Sequence, residues 1–374
     1  MKNILFITGT RADFGKLKPL MHKVEKDPDF TCSIFATGMH LLKKYGNTLI
    51  EIKKEGFKNI FTYFNQTNNT NCFSDVSLAE TIKGLSFYLS ENSIDLLVVH
   101  GDRIETLAGA IVGALRGVRT AHIEGGERSG TVDELIRHAV SKLAHIHFVS
   151  REKNKLRLIQ MGEKKDSIFV IGSPDIDVML SDTLPSIDSV KSYYGINFSD
   201  YSIFIYHPVT NELDRLKHNI SEVIAALIKS NKNYIVIKPN NDAGSHHIID
   251  ALQSINDLSN FKIFPSIRFE FFLTLLRHAQ YIVGNSSCGI HEAPIYGVPT
   301  INIGTRQSGR FDSPSIYNVI EDQDKIINII KILPPRCNPV FNYGKGNSAE
   351  MFITELHKKN IWQIPLQKSF QDLL

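Results

Sequence analysis

Residues 94–138 read IDLLVVHGDRIETLAGAIVGALRGVRTAHIEGGERSGTVDELIRH, and this stretch decides the predicted fold. Two short apolar runs, IDLLVVH and VRTAHIE, each lead into polar residues and are separated by a helical segment rich in alanine and glycine. Continuous apolar strands that alternate with helices predict a parallel sheet covered on both faces. The small residues of the helical segment would let it pack closely on that sheet.

The same alternation continues on both sides of this stretch. Further apolar runs predict the strands NILFIT, CSIFATG, IHFVS and IFVIGS in a first series, and SIFIYHP, NYIVIKP, FKIFPS, YIVGNSS and PTINIG in a second. The segment 173–200 between them is rich in Ser, Asp and Pro, which predicts a domain boundary. The fold class is therefore α/β, with two doubly wound, Rossmann-like domains that face a cleft. The predicted domains are residues 1–175 and 176–350, followed by a helical tail, 351–374, that packs back on the body.

Composition narrows the classes of function. The chain has 374 residues and a formal net charge of +3, too small to indicate nucleic acid or an anionic membrane as a partner. Its four cysteines lack zinc-ligand spacing, and no window is long and apolar enough to cross a bilayer. We expect a soluble, cytoplasmic protein with reduced thiols. The pair His145 and His147 lacks further ligands nearby in sequence and is interpreted as packing histidines, so no metal is expected.

Polar side chains follow nearly every predicted strand. In an open α/β sheet, ligands bind outside the carboxyl ends of the strands, so these residues are candidates for binding and chemistry. They are Arg11 and Lys16 after the first strand, Asp102, Arg103, Glu124 and Asp133 in the quoted stretch, and His207, Asn240, Ser286 and Ser287 in the second series.

The segment NSSCGIHEAPIYG has the composition of an anion site. Small hydroxylic residues and a glycine between a strand and a helix expose backbone N–H groups, and the helix dipole adds positive potential. Ser286, Ser287 and Gly289 would then cradle a phosphate, although Ser is equally typical of a plain helix N-cap. Glu292 either complements the dipole or holds ribose hydroxyls. Arg11 and Lys16 could neutralise a diphosphate or be ordinary surface cations.

Several motifs together resemble the hydrolysing UDP-N-acetylglucosamine 2-epimerases, bacterial enzymes that open sialic acid synthesis. They are GTRADFGKLKPL, TGMH, HGDR, HIEGGE, SGTVDELIRHAVSKLAHIHFV, IGSPDID, HPVT, NSSCGI and GTRQSGR. HIEGGE with GTVDELIRH is the specific part, because non-hydrolysing 2-epimerases look like GDTTT and HVEAG at the corresponding places. The resemblance implies a glycosyltransferase-B type fold, with the sugar on the first domain and UDP on the second.

The resemblance also implies a reaction and its residues. UDP leaves by anti elimination to give 2-acetamidoglucal, and syn addition of water gives N-acetylmannosamine. One acid cannot serve both faces of the sugar, so at least two positioned groups are needed. Asp102 and Glu124 are the hypothesised proton-transfer pair, with Asp133 orienting them. The matching residues are the acids Asp102, Glu124 and Asp133, the essential histidine His207, and the nucleotide-binding positions Arg11, Ser286, Ser287 and Glu292. The resemblance suggests a homodimer or homotetramer, and neither a cofactor nor a metal is indicated.

Four alternatives stay open at this stage. The first is the same reaction on a 2,4-diacetamido-6-deoxy nucleotide sugar of the legionaminic acid pathway, which lacks the 6-hydroxyl. The second is the non-hydrolysing epimerase, in which UDP re-adds in place of water. The third is a glycosyltransferase of the same fold, which would need an acceptor. The fourth is a catalytically silent nucleotide-sugar sensor, which would bind without turnover.

Overall fold

The structure, a computed structural model, describes residues 1–66, 73–129, 132–239, 242–309, 313–369 and 371–372. The chain divides into two compact units. The first unit comprises Met1–Glu127, Asp133–Ser181 and Asn342–Leu374, and the second comprises Arg128–Val132 and Asp182–Phe341.

The first unit is built on a parallel sheet of seven strands. In chain order they are β1 (Lys2–Thr8), β2 (Phe30–Ala36), β3 (Asn59–Thr62), β4 (Leu96–His100), β5 (Thr120–Ile123), β6 (Ile146–Val149) and β7 (Ile168–Val170). Their order across the sheet is β3-β2-β1-β4-β5-β6-β7, and every neighbouring pair is parallel. Because the strand order reverses between β1 and β4, their carboxyl ends form the topological switch point of this sheet.

Helices cover this sheet, as the apolar strands require. They are α1 (Arg11–Lys26), α2 (Leu49–Lys54), α3 (Ser74–Glu91), α4 (Ile104–Arg116), α5 (Val132–Leu143), α6 (Glu152–Gln160) and α7 (Pro174–Met179). The glycines of α4 confirm the expected close packing. A Cβ on Gly109 would lie 2.6 Å from Ile7 and 2.7 Å from Val99, and one on Gly113 would overlap the Thr120 side chain.

The second unit repeats the architecture on six parallel strands. They are β8 (Ser202–Ile205), β9 (Tyr234–Ile237), β10 (Phe261–Phe264), β11 (Ile282–Gly284), β12 (Thr300–Ile303) and β13 (Ile316–Val319), ordered β10-β9-β8-β11-β12-β13. The switch point here lies between β8 and β11. The helices are α8 (Ile187–Tyr194), α9 (Leu213–Ser230), α10 (Ser245–Gln253), α11 (Phe269–His278), α12 (Cys288–His291) and α13 (Gln323–Ile332).

The chain returns to the first unit near its end, through α14 (Ser348–His357) and α15 (Lys359–Gln363). The division therefore differs from the expected one, since the first unit continues to 181 rather than 175 and regains the chain at 342 rather than 351. The reason is that α7 and α14 pack together. Asp177 accepts hydrogen bonds from the backbone of Ser348 and Ala349 at 2.8 and 2.7 Å, and Phe352 stacks edge-on against Phe148.

The structure also bears on membrane-spanning helices and on the state of the cysteines. Within the described ranges, no helix is long and apolar enough to span a membrane. Cys32, Cys288 and Cys337 form no disulfide among the residues that the structure describes.

Candidate functional site

The switch point of the first sheet gathers ionisable side chains from three adjacent strands. Asp13 lies in the first turn of α1, directly after β1; His100 is the last residue of β4; and Glu124 follows β5. The strand order brings Asp13 and His100 into contact although 87 positions separate them in sequence.

His100 bridges two carboxylates at this point. Its Nδ1 lies 2.9 Å from Asp13 Oδ1, and its Nε2 lies 3.1 Å from Glu124 Oε2. An ionised carboxylate only accepts hydrogen bonds, so both ring nitrogens must carry a proton to make the two bonds. Burial alone would lower the pKa of His100, but the Glu124 and Asp13 carboxylates raise it to about 9. His100 is therefore an imidazolium at neutral pH.

Glu124 is aimed at His100 by an unusual backbone conformation. Its φ is +64°, a left-handed value that costs a non-glycine residue roughly 1 kcal/mol or more. The turn is held by the Glu124 N–H, which donates to the Phe148 carbonyl at 2.9 Å. The Ser173 hydroxyl donates to Glu124 Oε1, so both carboxylate oxygens are positioned.

Asp102 is held from a different side, by helix α5. The Arg137 guanidinium donates to Asp102 Oδ2 and, through its other amino group, to the Glu127 carbonyl at 3.3 Å. Arg137 is buried, whereas the Asp102 side chain is 22% exposed. Asp133 lies one helical turn before Arg137 and is partly buried, so the two side chains share a face of α5. The structure thus connects Asp102 with the helix that carries Asp133.

A neutral histidine supports the turn that carries Asp102. His122 donates from Nε2 to the Gly101 carbonyl at 2.8 Å and accepts at Nδ1 from the Ser141 hydroxyl at 3.0 Å. Burial lowers the pKa of His122 to about 3, against the hydrogen bond to Gly101. His122 therefore ties β4 to α5 without adding charge.

The predicted diphosphate-binding cations are each paired with a carboxylate of the same unit. Arg11 makes a two-pronged contact with Glu51 at 2.8 and 3.0 Å, and Lys16 lies 3.0 Å from the buried Asp175. Arg103 Nε lies 4.0 Å from Glu105, whose side chain is buried against Gly9 and Gly38. Their assignment to UDP binding stays a prediction.

At the switch point of the second unit, Asn285 holds the main chain of His207. The Asn285 carboxamide accepts from the His207 N–H at 2.7 Å and donates to the His207 carbonyl at 2.8 Å. The Asn285 carbonyl in turn accepts from the Gln307 carboxamide at 2.8 Å. Neutral hydrogen bonds thus place His207 at the end of β8, beside the loop that follows β11.

The predicted anion loop follows β11 directly. Ser286 and Ser287 are partly buried and precede α12, a single turn. Gly289 has a packing role, since a Cβ there would lie 2.6 Å from the Thr300 side chain, and its N–H donates to the Ser286 carbonyl at 3.2 Å. The sequence predicted Glu292 in the first helical turn; the structure places it, buried, directly after His291, the last residue of α12. Asn240 lies outside the described residues.

Sequence reasoning gave no role to four side chains at or beside the first switch point: Asp13, His100, Ser173 and Arg137. Each lies inside a motif that the sequence shows, namely GTRADFGK, HGDR, IGSPDID and SGTVDELIRH. For Asp13, His100 and Ser173 the available signal was the one that selected Asp102, a polar residue at or soon after a strand end, whereas Arg137 lies within α5 and carries no such signal. Among the described residues, a separate surface group of three potential metal ligands consists of Asp27, Asp29 and His357, and it lies at the opposite ends of the strands.

Sequence comparison identifies relatives over the full length of the chain. The profile of the family described as UDP-N-acetylglucosamine 2-epimerase matches residues 22–357. A UDP-N-acetylglucosamine 2-epimerase of Neisseria meningitidis serogroup B is 45% identical over the whole of both chains. The hydrolyzing UDP-N,N'-diacetylbacillosamine 2-epimerase of Legionella pneumophila is 34% identical over 94% of each chain. The polysialic acid biosynthesis protein P7 of Escherichia coli is 33% identical over 98% of each.

Structure comparison agrees on the fold. The crystal structure of a UDP-GlcNAc 2-epimerase from Neisseria meningitidis bound to UDP-GlcNAc superposes with a TM-score of 0.79, at 19% identity, over 95% of this chain and 99% of that one. The Methanocaldococcus jannaschii enzyme in complex with UDP-GlcNAc and UDP gives 0.80 at 20% identity, with the same coverage. The fold is of the glycosyltransferase-B type, as the sequence predicted.

Proposed function

The chain belongs to the UDP-N-acetylglucosamine 2-epimerase family, and from that premise we propose that it is a hydrolysing member. The proposed reaction converts UDP-N-acetylglucosamine and water to N-acetylmannosamine and UDP, the first step of sialic acid synthesis. The observation that carries the proposal is the set of carboxylates at the first switch point. Glu124 and Asp102 lie at the ends of adjacent strands, each with its own cationic partner.

This arrangement suits two proton transfers on opposite faces of a sugar ring. In the first step the bond from C1 to the UDP oxygen breaks and a carboxylate takes the proton from C2, which leaves 2-acetamidoglucal. In the second step water adds to C1 and a proton returns to C2 from the other face. Separate acids are required because one group reaches only one face. Asp102 and Glu124 are the proposed pair, and Asp133 orients Asp102 from α5.

The same carboxylates stabilise charge as UDP departs. The C2 hydrogen is barely acidic, so departure of UDP leads and C1 gains oxocarbenium character. A fixed carboxylate close to C1 lowers the energy of that positive charge. In the second unit, His207 and the loop of Ser286 and Ser287 are the proposed partners of the leaving diphosphate, with Glu292 on the ribose. Arg11, Lys16 and Arg103 complete the proposed binding set.

The hydrolysing chemistry rests on two lines of support. The motifs HIEGGE and SGTVDELIRH resemble those of hydrolysing enzymes, and relatives above 30% identity include two whose names state hydrolysis. The second of these, from Campylobacter jejuni, acts on GDP- or UDP-N,N'-diacetylbacillosamine by its name. A 2,4-diacetamido-6-deoxy sugar is therefore the second candidate substrate. We also propose a cytoplasmic location and a homodimer or homotetramer. Size-exclusion chromatography with light scattering would test the oligomeric state.

Proton NMR in D₂O tests the reaction directly. Purified protein is incubated with UDP-N-acetylglucosamine, and the expected products are free UDP and N-acetylmannosamine that carries deuterium at C2. A mixture of intact UDP-sugars epimeric at C2 would instead show the non-hydrolysing reaction. Turnover of the 2,4-diacetamido substrate alone would move the assignment to the second candidate. Binding without turnover of any of these sugars would indicate a sensor, and dependence on an acceptor would indicate a glycosyltransferase.

A further inference from the structure

The contact between Asp13 and His100 is not needed by the reaction as proposed so far. Asp13 already has a structural role, because Thr10 caps α1 by accepting from the Asp13 N–H at 3.1 Å and Asp13 Oδ2 accepts from the Gly9 N–H at 3.1 Å. Its second oxygen, Oδ1, is turned toward His100 instead of solvent, and the Asp13 side chain is only 10% exposed. A helix cap alone has no use for that second contact.

We propose that Asp13 is a positioning residue that acts on Glu124 through the His100 ring. It keeps both ring nitrogens protonated, and it thereby fixes the direction of the Glu124 carboxylate and the positive charge beside it. This inference rests on the proposed function, in which Glu124 moves a proton at C2.

The contacts of His100 assign one carboxylate to each ring nitrogen. With Asp13 on Nδ1, the Nε2–H of His100 has one acceptor, Glu124 Oε2 at 3.1 Å. The other oxygen of Glu124 accepts from Ser173, so the carboxylate plane is defined by two donors on different elements. A partly filled polar network is costly in a buried site, whereas a satisfied one is rigid.

The titratable groups that face Asp13, His100 and Glu124 are either neutral or paired with another residue. His122, on β5, lies near both His100 and Glu124, and burial lowers its pKa to about 3. His40, after β2, lies near Asp13, and burial lowers its pKa to about 4. Asp102 follows His100 by two residues and is paired with Arg137, while Arg11 beside Asp13 is paired with Glu51. Between pH 5 and 8, His100 is thus the positively charged member of the group formed by Asp13, His100 and Glu124.

The variant Asp13→Asn isolates the charge from the helix cap. Its carboxamide oxygen can still accept from the Gly9 N–H, while its NH₂ group faces His100 Nδ1. His100 would then lose its Nδ1 proton at a lower pH than in the parent, after which Nδ1 accepts from the carboxamide NH₂ group and Nε2–H still donates to Glu124. Asp13→Glu restores the charge and is the conservative rescue. Glu55→Gln is the matched control, because Glu55, at the end of α2, pairs with His22 of α1 at 2.8 Å in a partly exposed contact away from the site.

Two readouts are needed, and the first does not depend on activity. Nitrogen-15 histidine NMR of the substrate-free protein, with His100 assigned by its loss in His100→Asn, should show both nitrogens protonated up to a pH of about 9. In Asp13→Asn the ring should lose a proton at least about one pH unit lower. The second readout is the pH profile of kcat/KM. Asp13→Asn should shift the basic limb downward by about one unit, which lowers kcat about tenfold above pH 9 with little change in KM.

Each result decides the matter. A downward shift of both the ring titration and the basic limb, reversed by Asp13→Glu and absent in Glu55→Gln, supports the inference. A neutral His100 at pH 7 in the unaltered protein, or an Asp13→Asn profile identical to the parent profile, overturns it. If no nucleotide sugar is turned over, the NMR titration still decides whether Asp13 sets the charge of His100, and the proposed function is then what fails.

Discussion

At the switch point of the first unit, ionised side chains hold one another: Asp13 and Glu124 hold His100, and Arg137 holds Asp102. At the switch point of the second unit, the neutral carboxamide of Asn285 holds the main chain of His207. The two sheets share the same reversal of strand order, so the topology places both sites while the side chains decide their chemistry. We expect substitutions in the first site to change proton transfer and pH dependence, and substitutions in the second to change stability.

The largest expected effect is on catalysis at Glu124. Glu124→Gln keeps the shape and the hydrogen bond from Ser173 but removes the charge and the basic oxygen. Since a positioned acid or base contributes roughly 10²- to 10⁴-fold to rate, we expect kcat to fall about 10³-fold. A coupled assay that follows the release of UDP measures kcat.

The control for that loss is Glu55→Gln, a carboxylate at the end of α2 that also contacts a histidine, His22 of α1, but lies partly exposed away from the site. It should keep the parent kcat. A Glu124→Gln enzyme within tenfold of the parent rate would contradict the role of Glu124, and with it the contrast between the two sites.

The second prediction concerns stability and pH in the first unit. The pKa of His100 is raised from 6.5 to about 9, so its charge stabilises the folded state fully below pH 6.5 and this contribution is lost as pH rises through 9. His100→Asn lacks this term. The difference in unfolding free energy between the parent and His100→Asn should therefore shrink by on the order of 3 kcal/mol between pH 6 and pH 9.5.

Urea unfolding at several pH values measures that difference, and groups that titrate identically in both proteins cancel from it. A difference that stays constant over this range would mean that His100 is neutral in the folded protein. For contrast, an Asn285 variant should show no such pH dependence, because the Asn285 contacts to His207 contain no ionisable side chain.

The third prediction addresses Asn285 itself. Asn285→Ala would leave a buried N–H and a buried carbonyl of His207 without their side-chain partner. Each such group costs roughly 1 kcal/mol or more, so we expect a loss of about 2 kcal/mol in unfolding free energy. Asn233→Ala is the control, since Asn233 makes one exposed hydrogen bond to the Asp200 carbonyl. Equal stability losses in the two variants would contradict a special role for Asn285.

The sequence predicts every buried strand of the two sheets, and the two strands that it missed are partly exposed edge strands. All strands with continuous apolar runs are present, including β4 and β5 of the opening stretch. The two that sequence analysis did not predict, β3 and β13, lie at the edges of their sheets and are partly exposed. In these two strands, NIFT and IYNV, polar residues shorten the apolar run that marks a buried strand.

Candidate site residues could be selected from the sequence, but their contact partners could not. Asp102 and Glu124 could be selected because they follow predicted strands. Their partners depend on which strands become neighbours, and β1 and β4 meet only because the strand order reverses there. The pairs of Lys16 with Asp175 and of Arg11 with Glu51 depend on packing between helices distant in sequence, which local patterns do not encode.

The smallest expected effect concerns Lys368, and it tests whether the network of charged contacts at the first switch point extends to the far end of α5. The Lys368 ammonium donates to the carbonyls of Ser141 and Ala144 at 3.2 and 2.6 Å, and it also binds Glu163. It therefore caps the end of α5, the helix that carries Asp133 in its first turn and Arg137 near its middle. Lys368→Met keeps the aliphatic contacts and removes the charge. Glu163 retains Lys142 and His147 as partners, so the loss should be modest, about 1 kcal/mol.

Thermal and urea unfolding measure this loss, with Lys229→Met as the control because Lys229 pairs with Asp324 on the surface of the second unit. If Lys368 supports the site as well as the fold, kcat of Lys368→Met should fall severalfold while KM stays constant, because Arg137 would hold Asp102 less firmly. A stability loss with unchanged kcat would confine the role of Lys368 to the helix end. No effect on either would show that the charged support of the first unit ends at Arg137, and that the contrast with the second unit is local to the switch points.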